Sequence, residues 1–373
     1  MSEDLKRNFG LDILRATAIS LVVASHCTYM LFPNTSALLI EFIRTMGAIG
    51  VDLFFVLSGY LIGGLILKRL ENQELEWCHL FGFWKRRWLR TLPNYFLLLI
   101  LNILLAFLTG FDLPEGIPHY FVFLQNFWNP HPNFFTEAWS LSIEEYAYLF
   151  LPFLVFSFAI LRPKSDKSKW FLSMTISIIF ILNLLKLNYF HTTNIHSYGE
   201  WSAAFRKVVV YRMDSIYLGF LLVYLIKRRQ HFITNYRFVF LALSIIILGI
   251  VHYLILKYQI LPQNNLLFYV FFYLPIIGFS LALLFPFFLN LDYKGRGKQV
   301  VVFISKRSYA IYLINYSIVL LTFQRLIDIS VFSWFGKIVS VMAFLFITIL
   351  LSHFLYNYFE SPILKWRDRK FPR

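Results

Sequence analysis

Long apolar runs alternate with short polar ones from Leu11 to Tyr358, and this pattern sets the architecture. An α-helix needs about 20 mostly apolar residues to cross the hydrocarbon of a bilayer. Ten segments qualify, at roughly 11–33, 44–67, 92–110, 139–161, 170–188, 207–226, 237–256, 266–289, 308–325 and 334–358. The runs follow each other closely, and inspection finds no internal repeat. The pattern therefore predicts an all-α membrane protein, a single bundle of about ten transmembrane helices over 1–373.

Composition agrees with that reading. Of 373 residues 58% are hydrophobic and 15% charged, where a soluble domain has about 25% charged. The first residues, MSEDLKRNFG, are polar and no small-residue cleavage site follows the first run, so this run is expected to stay in the membrane. The formal charge of +15 does not point to nucleic acid, because its distribution is topological. Alternate loops and the two ends carry 26 of the 35 Lys and Arg residues, among them Lys6, Arg162, Lys164 and Arg373. By the positive-inside rule both termini are cytoplasmic. The two cysteines, Cys27 and Cys78, make neither a disulfide framework nor a zinc spacing, and no metal set is expected.

Charged and titratable residues inside apolar runs are costly, by about 2.5–3.5 kcal/mol for an arginine on insertion scales. Arg15 and His26 in LDILRATAISLVVASH are eleven positions apart. They therefore share one helix face, about 16 Å apart along the axis, with Asp12 one turn below Arg15. A lone histidine on an apolar helix is usually a packing residue; the shared stripe also allows a base above a cation. In TEAWSLSIEEYAYLFLP, Glu144 falls at a depth that matches His26, so a His–carboxylate pair is geometrically open, as is a buried structural ion pair. Trp139, Ser140, Arg212 and Asp214 are candidates to support such a polar core.

Two further stretches bear on a ligand. Ser58-Gly59 and Gly63-Gly64 in GVDLFFVLSGYLIGG permit close approach of another helix or of a ligand. Arg86, Arg87 and Arg90 in KRRWLRTLP suit lipid headgroups or a bidentate grip on phosphates. The segment 111–138 lacks Lys and Arg and is rich in aromatics, as an interfacial belt or a sugar-stacking platform would be.

Taken in order, these stretches resemble the acyltransferase-3 family of integral membrane acyltransferases. The match rests on Arg15 and His26 at the family's spacing, on FFVLSGYLI, on Arg86, Arg87, Arg90 and Pro93, and on WSLSIEEYAYLFLP with Glu144 at the family's Glu. RMDSIYLG, SKRSYAIYLIN and YFESP fit as well. One departure is Asn315, where the family's late motif often has His. The chain stops soon after the tenth run, so the stand-alone form without a fused periplasmic hydrolase-like domain is expected.

The resemblance implies acyl transfer, most often of acetyl, from cytoplasmic acyl-CoA to a hydroxyl of a carbohydrate or lipid-linked glycan. It places His26 and Glu144 in catalysis, and Arg15, Ser58, Gly59, Tyr60, Arg86, Arg87 and Arg90 at the acyl-CoA. It also implies a bacterial inner membrane, with lipid, acyl-CoA and glycan as partners and no bound cofactor; a homo-oligomer is compatible with it. Direct transfer and an acyl-histidine intermediate stay open. The alternative function is a transporter or flippase using the His and Glu for proton or substrate handling, and a catalytically silent relative is a third reading.

Overall fold

The computed structural model describes residues 7–32, 35, 37–72, 76–161, 166–291 and 293–371. Pro33 and the basic residues Lys6, Arg162, Lys164 and Arg373 lie outside them. Each expected span corresponds to a helix. In chain order these are α1 (Phe9–Leu31), α2 (Leu38–Glu71), α3 (Trp77–Thr109), α4 (Ala138–Leu161) and α5 (Lys167–Thr192). Then follow α6 (Val209–Arg228), α7 (Arg237–Tyr258), α8 (Phe268–Leu289), α9 (residues 298–326) and α10 (Trp334–Lys370). Among the described residues there is no strand, and nine of these helices are long and apolar enough to cross a membrane. The remaining one, α9, carries Arg307, Ser308, Asn315 and Ser317 in its run, and all four are buried.

The helix ends that carry the basic residues gather at one end of the bundle. Lys227 at the end of α6 pairs with Glu71 at the end of α2. Arg86 in the early turns of α3 pairs with Asp368 near the end of α10 at 2.7 Å. Asn8 caps α1 by accepting from the Leu11 N–H, and its amide reaches the Leu289 carbonyl at the end of α8. Helices α2 and α3 have 34 and 33 residues, so at 1.5 Å per residue each runs about 50 Å and outlasts the hydrocarbon. Their extra turns carry the cations that ring the site described below.

The opposite end is closed by the aromatic segment. Tyr120, Phe123, Phe134 and Phe135 are buried in it, and the Tyr95 hydroxyl reaches the Tyr120 carbonyl at 2.8 Å. The segment is a packed cap, with Phe121 and Trp128 among its exposed rings.

Helices α2 and α6 meet backbone to backbone. A methyl group added at Gly59 would collide with the Ile216 carbonyl, and one at Gly219 with the Val56 carbonyl. Gly59→Ala is expected to cost roughly 1–3 kcal/mol through this overpacking. A thermal unfolding scan of the purified variant in nanodiscs would show it as a lowered midpoint; an unchanged midpoint would mean that the helices separate freely.

Candidate active site

A cavity of about 660 Å3 lies between α1, α2, α3, α4, α9 and α10 and opens at the basic end. Lys68, Arg69, Arg86 and Arg367 stand at its mouth, with Arg15, Arg87 and Arg90 further in. Seven cations face a single carboxylate, Glu144, among the described wall residues. Such a field selects an anion of several charges. Ser58 follows, and the inner end is formed by Val51, Phe54, Phe55, Ser140 and Tyr312.

The cations are not equivalent. Arg69 donates to the His79 carbonyl, Arg86 to Asp368, and Arg87 to Glu144 at 2.8 Å and to the Tyr148 hydroxyl at 3.0 Å. Arg90 is exposed into the cavity and makes no hydrogen bond or ion pair among the described residues; its electrostatic neighbours include Arg87, Glu360 and Arg367. A cation held this way has donors to spare for a phosphate. If the cavity holds acyl-CoA, as the resemblance implies, Arg90→Ala is expected to weaken its binding about tenfold or more, the worth of one charge-assisted hydrogen bond. Titration of a fluorescent acyl-CoA analogue checks this, and an unchanged Kd would remove Arg90 from the donor site.

His26 lies beyond the inner end of the cavity. Its Nδ1 is hydrogen-bonded to the side-chain oxygen of Asn315 on α9, and its ring lies 4.7 Å from that of Tyr316. The Asn315 amide nitrogen donates to the Ile311 and Tyr312 carbonyls at 2.8 and 2.9 Å. Only an NH2 group can donate twice, so the Asn315 oxygen faces His26 and must accept. The proton of the neutral imidazole therefore sits on Nδ1, which leaves Nε2 with its lone pair.

Two registers place this histidine above the cavity. Gly47 of α2 lies against Ser25, and Gly50 lies against Ala18 and Val22, while the cavity begins lower on α2, at Val51. On α9 the wall residue Tyr312 is three positions, about 4.5 Å, short of Asn315. The inner end thus stops about one turn below His26. Tyr312 sits there, edge-on to Phe54 at 6.4 Å, with its hydroxyl 2.8 Å from that of Ser140.

The expected pairing of His26 with Glu144 is not what the structure shows. Glu144 accepts from Arg87, Ser58 and Tyr148 instead. Ser58 lies eleven residues beyond Gly47 on α2, about 16 Å along the axis, so Glu144 belongs to the cavity and not to the level of His26. The matched-depth argument fails because α4 does not start at the end of the bundle. Glu137, the residue before it, accepts from the Ser317 N–H two positions past Asn315, so its first turn already lies near the level of His26.

Other expected residues divide in the same way. Ser58 lines the cavity, while Gly59 and Tyr60 turn away, the first against α6 and the second against Phe285 at 5.3 Å. Asp12 pairs with Arg7 and stands 3.7 Å from Arg15. Arg212 pairs with Asp52 at 2.6 Å, beside Arg206, and Asp214 pairs with Lys186. These buried ion pairs have partners other than His26 and Glu144, and Arg206 stacks over Trp139 at 5.0 Å.

Asp52, Lys186, Arg206, Glu137 and Tyr312 were not singled out from the sequence. Glu76, Cys78 and His79 bring potential ligand atoms within 4.8 Å of one another at the start of α3, outside the cavity. There the Cys78 thiol donates to Glu76 at 3.2 Å.

Comparison with known proteins finds the family in the sequence. The acyltransferase-3 profile, described as an acyltransferase domain, matches residues 8–357. A Staphylococcus aureus (strain MRSA252) protein provisionally named an O-acetyltransferase is 26% identical, over 98% of this chain and 59% of its own length. The O-acetyltransferase OatA of Staphylococcus aureus (strain NCTC 8325 / PS 47) is 26% identical, over 95% of this chain and 57% of its own. This chain thus spans about three-fifths of the length of these curated relatives. No solved structure matches it. With the profile covering nearly all of the chain, the protein belongs to the acyltransferase-3 family.

Proposed function

We propose that the protein transfers an acyl group, most often acetyl, from acyl-CoA to a hydroxyl of a carbohydrate or lipid-linked glycan. One observation carries this reading: a cavity with seven cations leads to within one turn of a histidine whose Nε2 is free to accept a proton. Arg15, Arg87 and Arg90 hold the CoA phosphates, and Ser58 faces the arm that carries the thioester inward. The side chain that must yield to that arm is Tyr312, which closes the inner end.

The acceptor hydroxyl meets the thioester at His26. Its oxygen forms the new bond to the carbonyl carbon while its proton passes to Nε2. The carbon–sulfur bond then breaks, and the imidazolium returns the proton to the CoA sulfur. Asn315 keeps the imidazole in the reactive tautomer, the role a neutral amide has in Cys-His-Asn sites. Glu144 fixes Arg87 rather than His26. The relatives' names support O-acetyl transfer. The basic end is taken as cytoplasmic, with both termini there, in a bacterial inner membrane and as one unit over 1–373.

Acyl-CoA turnover by the purified protein in nanodiscs tests this reading, with a thiol-reactive dye reporting CoA and mass spectrometry reporting the acylated glycan. CoA release that depends on the glycan is expected. A folded protein that neither binds acyl-CoA nor releases CoA would sink the enzyme and favour transport.

A further inference from the structure

Glu137, the residue before α4, has no place in the chemistry above, yet it holds the helix that carries His26's partner. It is buried, and its Oε1 accepts from the Ser317 backbone N–H at 2.7 Å and from the Ser317 hydroxyl at 3.1 Å. Its Oε2 is buried without a hydrogen-bond partner among the described residues. Ser317 lies in Asn315–Leu320, where α9 widens into a π-turn. A side chain that captures a backbone N–H takes it out of the i to i−4 ladder, and the helix widens at that point. The first two residues of this turn are Asn315 and Tyr316, the pair that touches His26.

We propose that Glu137 is a positioning residue: by capturing the Ser317 N–H it sets the π-turn that presents Asn315 and Tyr316 to His26. This rests on the reading of His26 as the base. The geometry explains why a carboxyl is tolerated in so buried a place, since its oxygen replaces the helical carbonyl that Ser317 would otherwise use. Both forms of the carboxyl present a carbonyl-type oxygen to Ser317, so the role needs reach and not charge.

Glu137→Gln and Glu137→Asp separate the two requirements. Glutamine keeps the reach and loses the charge; aspartate keeps the charge and is one methylene short. With acetyl-CoA and an accepting glycan in nanodiscs, the Gln variant is expected within about threefold of the wild-type kcat. The Asp variant is expected to lose at least tenfold in kcat, as displacements of about 1 Å at a reacting group do. KM for acetyl-CoA is expected to stay unchanged in both, because Glu137 does not line the donor cavity. An active Asp variant overturns the proposal, and so does an inactive Gln variant. His26→Ala is measured beside them. If that variant turns over normally the reading of His26 fails, whatever Glu137 does; if it is dead while the Asp variant is normal, only the role of Glu137 fails.

Discussion

His26→Ala is expected to lower kcat about 1,000-fold while leaving the affinity for acyl-CoA unchanged. The size follows from removing a general base, whose positioned proton transfer is worth roughly 10²–10⁴. The selectivity follows from geometry. His26 is not part of the cavity wall, which ends at Val51 on α2 and Tyr312 on α9, so its loss leaves every cation of the donor site in place. Single-turnover CoA release and equilibrium binding of an acyl-CoA analogue, measured on the same preparation, separate the two quantities. A variant that loses binding as well would place the imidazole in donor recognition. One that retains CoA release toward a glycan would take it out of proton transfer altogether.

The helices and the basic cavity were largely legible in the sequence because both rest on local signals. Ten apolar runs announce ten helices, and the basic residues of 85–90 and 68–69 lie at helix ends that the alternation of loops brings together. Ser58, Ser140 and Glu144 likewise line the cavity with Arg15, Arg86, Arg87 and Arg90. The partner of His26 was not legible. Asn315 is 289 positions away, and it stands where the family's late motif often has His. Its importance emerges only from the two carbonyls that fix its amide. Glu137 was hidden for another reason: a π-turn leaves no trace in a 3.6-residue periodicity. The depth of Glu144 was misread because helix length locates a helix in the sequence, while its level depends on how far the preceding loop dips into the bundle. Gly59 and Tyr60 belong to the same motif as Ser58, but successive helical residues are about 100° apart, so all three cannot face one cavity.

Arg87→Ala is expected to be the most damaging change in the donor site, and for two reasons that a second substitution can separate. Arg87 lies 2.8 Å from Glu144, with its guanidinium 4.4 Å from the centre of the Tyr148 ring. Both charged side chains are mostly buried. Removing one partner of such a pair leaves the other charge unpaired, which costs about 3–5 kcal/mol. The variant also turns a cation of the donor site into an uncompensated carboxylate facing the phosphates. Affinity for acyl-CoA should therefore fall about 100-fold, more than for Arg90→Ala, with a lower unfolding midpoint. Adding Glu144→Gln removes the orphaned charge while keeping an acceptor for Ser58 and Tyr148. The double variant is thus expected to recover most of the midpoint and about tenfold in affinity, a coupling that a double-mutant cycle reads directly. Glu144→Gln alone should bind acyl-CoA at least as well as the wild type and retain turnover, since the group it alters accepts from Arg87, Ser58 and Tyr148 and not from His26. Loss of turnover in that single variant, with donor binding intact, would return Glu144 to the chemistry at His26. A double variant no better than Arg87→Ala would show that the arginine acts on the ligand alone and that the pair contributes nothing to holding it.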